Sequence, residues 1–170
     1  MSRKLFFFLF LLLNFNLHAQ DERYLSLELG GSGGVYSLNF ERDFLQKEKH
    51  RFSWRGGGEI FPVDNRYQLV FPLLLNGYYG GGAHKLKYAF GQGVTIAFGK
   101  AYSFAPFSRT VLNLGWRYEP PGKKLFFEAN YTPLISYLMA LRYEYVGGWQ
   151  YEHWGGFTIG YRLGPKTAKP

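Results

Sequence analysis

The stretch LNLGWRYEPPGKKLFFEANYTPL, from Leu112 to Leu134, decides how the chain is read. On one side of its Pro-Pro-Gly centre, Leu112, Leu114, Trp116 and Tyr118 alternate with Asn113, Gly115, Arg117 and Glu119. On the other side, Phe127, Ala129 and Tyr131 alternate with Glu128, Asn130 and Thr132. Period-two alternation around turn residues is the pattern of a β-hairpin. One face is large and apolar, and the other is polar or very small. Whichever face meets water separates a soluble domain from a membrane barrel.

The same alternation recurs along the chain. Strand character is read in Tyr24–Gly30, Val35–Asp43, Arg51–Ile60, Gln68–Tyr79, Lys85 to Phe98, the two arms of the hairpin, and Phe157–Leu163. Leu25, Leu27 and Leu29 oppose Ser26 and Glu28, and Phe157, Ile159, Tyr161 and Leu163 oppose Thr158, Gly160 and Arg162. The fourth segment is apolar on both parities, and Pro72 counts against a central strand there. Leu134–Val146 is the only stretch open to a helix, and reads rather as an extension of the seventh strand into a long hairpin. Phe44–His50, Gly80–His84 and Pro120–Lys123 form short turns, whereas Phe61–Tyr67, Gly99–Ser108 and Ile135–Glu152 form longer loops. Short and long connections in alternation suit an up-and-down barrel with turns at one end and loops at the other.

The face question has a volume argument. A soluble barrel would bury the apolar face, about twenty Leu, Phe, Trp and Tyr, in one small interior, which close packing forbids. The polar face carries Gly30, Gly57, Gly91, Gly93, Gly115 and Gly160. Glycine weakens a solvated strand, but small residues fit inside an eight-stranded barrel, whose interior is only wide enough for side chains. The apolar face therefore looks out into lipid. Closure then satisfies the backbone hydrogen bonds, as a bilayer requires. A soluble lipocalin-like binder is the contrary reading, with an apolar cavity and a polar exterior.

Composition fits. Met1–Gln20 has Arg3 and Lys4, an apolar run from Leu5 to Leu13, and a small residue at Ala19, the layout of a cleaved signal peptide. Residues 21–163 are then the barrel domain, and 164–170 a short tail. The chain has no cysteine, which excludes disulfides, cysteine metal sites and thiol nucleophiles. Twenty Lys and Arg against twelve Asp and Glu make it basic. The bases are dispersed, with no run longer than Lys123-Lys124, so anionic lipid rather than nucleic acid is the expected counter-charge.

The signal peptide, the glycine-rich first hairpin, GWRYEPPGKKLFFEANYTPL and the closing WGGFTIGYRL together resemble small outer-membrane β-barrel proteins of Gram-negative bacteria. The architecture is similar to the eight-stranded OmpX and OmpA-type barrels. The resemblance implies an all-β, eight-stranded, antiparallel up-and-down transmembrane barrel in the outer membrane. It also implies recognition of the last strand by the barrel-insertion machinery, with Gly156, Ile159 and Tyr161 matching the signal. The chain departs from the pattern in continuing to Pro170 past that strand.

Candidate chemistry is sparse. His50 and His84 fall at the turns and His153 at the loop end, too far apart to share a metal. Glu152, His153, Ser103, Ser108 and Asp64 could form a nucleophile–His–acid cluster only if the loops gathered them. Gly30–Gly34 lacks the Lys-Ser/Thr and helix of a phosphate loop. Inward charges form the main constellation: Arg51, Arg55, Lys85, Lys87, Arg117 and Arg162 with Glu28, Glu41, Glu59, Glu119 and Glu128. A tight turn puts Arg117 diagonal to Glu128, and a looser one puts them directly opposite. The turn after the second strand sets Glu41 opposite Arg51. These pairs are expected to plug the barrel. The expected protein is a monomeric structural or surface-interaction barrel, without cofactor or catalysis. A narrow transport pore or a lipid-modifying enzyme is the runner-up.

Overall fold

The computed structural model describes residues 22–63, 66–99, 102–138 and 148–164. The expected signal peptide and the tail beyond Gly164 lie outside the described residues. Eight antiparallel strands form a closed barrel: β1 (Arg23–Leu29), β2 (Tyr36–Lys47), β3 (His50–Val63), β4 (Arg66–Tyr79), β5 (His84–Gly99), β6 (Tyr102–Tyr118), β7 (Leu125–Leu138) and β8 (Gly148–Arg162). Each strand pairs with the next, and β8 closes on β1 with Ile159 opposite Leu27 and Tyr161 opposite Leu25. The start of β1 and the end of β8 lie at the same end as the connections after β2, β4 and β6, here the turn end. The other four connections make the loop end.

Alternation sorts the side chains as the hairpin indicates. Leu27, Leu38, Leu114, Trp116 and Ile159 point out of the barrel and are 44–56% exposed. Ser26, Asn39, Asn113 and Thr158 on the same strands, and Asn130 on β7, are buried inside. The apolar belt is bordered by aromatic groups, His50 against Tyr79 and His84 against Trp116 and Tyr118 at the turn end. Towards the loop end, Tyr131 stacks on His153. Such borders suit the polar–apolar boundary of a bilayer. The arrangement is the opposite of a lipocalin-like binder, because the polar groups are inside. Interior glycines are sites of close approach: a Cβ at Gly160 would meet the Phe126 ring, and one at Gly115 would meet Asn130.

The three long loops expected from the sequence are strand over most of their described residues. Gly99–Ser108 is taken up by β5, which runs to Gly99, and β6, which starts at Tyr102. Phe61–Tyr67 is mostly the ends of β3 and β4; of Ile135–Glu152, residues 135–138 belong to β7 and 148–152 to β8, and residues 139–147 lie outside the described residues. The reason is that alternation reports burial, not hydrogen bonding. A tilted strand crosses the hydrocarbon in about 9–11 residues. β5 and β6 have 16 and 17 residues and extend past it, where neither face must be apolar.

The prolines are accommodated by the ladder. Pro72 lies inside β4 opposite Gly93 of β5, while pairing with β3 skips from Gly56–Leu73 to Glu59–Val70. Pro133 lies opposite His153 of β8, while β6–β7 pairing skips from Val111–Leu134 to Leu114–Tyr131. A proline has no N–H to give, so each breaks one ladder and keeps the other.

Depth in the bilayer sets the cost of an outward charge. Leu114→Arg is expected to destabilise the barrel by about 2–4 kcal/mol, and Leu163→Arg, beyond the end of β8, by about 0–1 kcal/mol. Equilibrium folding into lipid vesicles measures both. Equal costs would contradict the placement of the belt.

Candidate functional site in the barrel interior

The interior is organised around two glutamates. Glu41, on β2, faces Arg55 across the β2–β3 ladder. Glu128, on β7, faces Arg117 across the β6–β7 ladder. Arg55 reaches across the lumen and joins them: its Nη2 donates to Glu41 Oε2 and to Glu128 Oε2, both at 2.9 Å. Arg117 Nη1 donates to Glu128 Oε1 at 3.1 Å and to Glu41 Oε1 at 3.2 Å. Lys87 Nζ, from β5, donates to Glu128 Oε2 at 2.7 Å. Tyr78, from β4, donates its hydroxyl to Glu41 at 3.0 Å. Six consecutive strands thus meet in one cluster, and all six of these side chains are buried. Buried charges persist only when paired and hydrogen-bonded, and each carboxylate here has several donors.

Arg117 is also clamped by rings. Its guanidinium lies 3.6 Å from the Phe126 ring centroid and 4.5 Å from that of Tyr24. Phe126 and Tyr24 are inward-facing aromatics on otherwise polar faces, packed edge to face. Planar guanidinium stacks well on such rings.

Arg117 and Glu128 are directly opposite, the looser of the two registers open from sequence. The expected pairing of Glu41 with Arg51 is corrected. The β2–β3 turn consists of Glu48 and Lys49, with Glu48 at φ 46°, so Lys47 pairs with His50 and Gln46 with Arg51. A register shift between Asp43 and Leu45 then brings Glu41 opposite Arg55. Arg51 instead donates to Glu119 Oε1 at 2.9 Å and lies 3.7 Å from Asp43.

Arg51 belongs to a second charged layer at the turn end. Glu119, just after β6, is its hub and pairs with Arg51, Arg117, Lys85 and Arg162. Burial alone would raise the Glu119 pKa. Arg117, Arg51 and Lys85 outweigh it and hold the carboxyl well below its usual range. A recess of about 500 Å³ opens on this layer at the turn end.

Towards the loop end, Leu74, Val111 and Leu134 form a small apolar layer with Trp154 packed on it. Above it the Gly30–Gly34 connection folds inward. Gly30 needs a positive φ of 70°, and a Cβ there would strike the Gly155 carbonyl. The fold brings Ser32 and Ser37 to donate to Glu28 Oε2, and the Val35 and Tyr36 N–H groups to donate to Glu59 Oε1. Two of the protein's own carboxylates thus lie against this glycine connection. A cleft of about 340 Å³ remains beside it, lined by Glu59, Arg109, Glu152 and Trp154 among others.

The other sequence candidates are scattered. Glu152 faces inward, 3.7 Å from Arg109, whereas its neighbour His153 faces outward and contacts the Tyr131 hydroxyl at 2.6 Å. They project to opposite sides of β8 and share no reaction centre. Ser108 is on the outward face of β6, and Asp64 and the Ser103 side chain lie outside the described residues. His50, His84 and His153 are in separate aromatic contacts. Ile159 and Tyr161 face outward on β8, while Gly156 faces inward beside Gly31. Asp43, Arg109 and Glu22 join the interior charges without having been singled out. Asp43 ended the alternation read for β2, and Arg109 lay at the edge of an expected loop.

Two outcomes follow for the charges. Removing Glu128 leaves Arg55, Lys87 and Arg117 with only Glu41 in this cluster, so Glu128→Gln should cost about 3–5 kcal/mol. Lys87→Met should cost less, and the double variant should recover part of the loss, with a coupling of about 0.5–3 kcal/mol in a double-mutant cycle. Strict additivity would contradict the cluster. Glu119, with its lowered folded pKa, stabilises the fold above the unfolded carboxyl's value of about 4.3, and that contribution fades as the pH drops below it. Acidification should therefore destabilise the parent protein more than Glu119→Gln, as read by urea titration at each pH. Parallel acid profiles would contradict this.

No protein-family model matches the chain, and no curated protein gives a significant match. Solved structures do. The N-terminal β-barrel domain of Pseudomonas aeruginosa OprF is similar at TM-score 0.53 and 10% identity, over 86% of this chain and 100% of that one. Neisserial surface protein A (NspA) is similar at TM-score 0.51 and 12% identity, over 83% of this chain and 93% of that one. The Yersinia pestis outer membrane protein Ail, solved in a phospholipid bilayer nanodisc, is similar at TM-score 0.51 and 12% identity, over 85% of this chain and all of that one. At such identities the likeness concerns the fold, and the fold of this chain is the eight-stranded antiparallel barrel of outer-membrane proteins.

Proposed function

We propose that the protein is a closed, monomeric barrel of the outer membrane, with a structural role and a surface-interaction role at its loop end, and without catalysis or conduction. The observation that carries this reading is the filled lumen. Between the turn-end recess and the loop-end cleft stand Arg55, Lys87, Arg117, Glu41, Glu128, Tyr78, Leu74, Val111 and Leu134, all buried. Ion pairs and apolar side chains in series leave no room for a hydrated ion in a barrel of eight strands. The opposed faces of Glu152 and His153 argue against the lipid-modifying alternative. Lipid is the partner of the exterior, and β8, with Gly156, Ile159 and Tyr161, is the segment assigned to the insertion machinery.

Reconstitution in a planar bilayer tests the reading. Folded protein should add no steady ion current over the lipid alone. Reproducible step conductances would restore the narrow pore.

A further inference from the structure

The loop-end cleft contains a carboxylate that the fold leaves half used. Glu59, on β3, is 4% exposed and lines the cleft. Its Oε1 accepts the N–H groups of Val35 at 3.2 Å and Tyr36 at 3.4 Å. Among the described residues its Oε2 has no hydrogen-bond partner. Gly33 and Gly34, which also line the cleft, close over that oxygen, so that a donor from the cleft reaches it as their backbone gives way: a Cβ on either would stand 3.1 or 3.2 Å from it. A buried acceptor of this kind costs free energy until a donor reaches it.

The surroundings specify the donor. A second carboxylate, Glu152, is held by the Trp154 indole N–H at 3.1 Å. Arg109 is engaged already, donating to Thr95 at 3.2 Å and lying 3.7 Å from Glu152. Among the described lining residues, two carboxylates face one guanidinium, so the cleft suits a single positive charge. Trp154 and Phe61 give it aromatic walls. A divalent metal would want six or more oxygen ligands and finds two carboxylates beside a guanidinium. An organic cation gains from both the carboxylate and the rings.

We propose that the cleft binds a small primary ammonium on an apolar stem, its N–H group donating to Glu59 Oε2 and its stem lying against Trp154 and Phe61. The proposal names a ligand class for the loop-end interaction role and rests on that reading. A failure of binding would leave the closed barrel standing, since closure is read by current.

The test is calorimetric titration of folded protein in zwitterionic micelles with 2-phenylethylammonium, and with 3-phenylpropionate as its anionic counterpart. The ammonium should bind saturably and the carboxylate should not. Glu59→Gln should weaken binding at least tenfold, with folding checked by the heat-dependent gel shift. Glu152→Gln should weaken it several-fold, and Gln150→Lys should abolish it by placing an ammonium in the cleft. Positions 150 and 152 are exposed, so these two variants carry the test if Glu59→Gln does not fold. Equal isotherms for parent and variants, preference for 3-phenylpropionate, or displacement of the amine by equimolar calcium would overturn the proposal.

Discussion

The sharing of Glu41 and Glu128 by Arg55, Lys87 and Arg117 is the constraint on which the rest of the barrel depends. Five charges and the Tyr78 hydroxyl, from six successive strands, are taken out of water together. Each partner is tolerable inside only because the others are present. A lumen filled in this way cannot also be an apolar core. The apolar residues of the same strands must therefore face outward, where only lipid can accept them. The polar interior and the greasy exterior are two consequences of one arrangement.

The cluster also fixes register. Because strand side chains have period two, a one-residue slip would carry Glu128 or Arg117 to the lipid face. The turn-end layer around Glu119 and the apolar layer of Leu74, Val111 and Leu134 brace it on either side. The inward fold of the Gly30–Gly34 connection then caps the lumen while leaving Glu59 at the edge of a polar cleft at the loop end. The likeness to OprF, NspA and Ail concerns the strand frame. At 10–12% identity, what fills that frame has to be argued from this chain's own residues.

Much of the frame was legible in the sequence because lipid imposes a strict alternation. Leu112 to Tyr118 and Phe127 to Tyr131 give the hairpin, its faces and two admissible registers. The limits have physical causes. In β4 both parities are apolar, since Val70, Leu74 and Tyr78 face inward, and no periodicity separates them from Phe71, Leu73 and Leu75. The partner of Glu41 depended on a two-residue turn and a register shift, neither of which leaves a hydrophobic signature. The long strands β5 and β6 fade into apparent loop where the membrane ends. Glu59 was readable as an inward charge. Its unpartnered oxygen was not, because it depends on how Gly33 and Gly34 pass over it.

The most direct test is magic-angle-spinning NMR of the protein in lipid bilayers, with nitrogen-15 in the arginine and lysine side chains and carbon-13 in the glutamate carboxyls. A strong dipolar contact from the Lys87 Nζ and the Arg55 guanidinium to the Glu128 carboxyl, assigned by loss of the signals in Glu128→Gln, is the result the account requires. Arg55 or Lys87 without any carboxyl contact in the bilayer would contradict it.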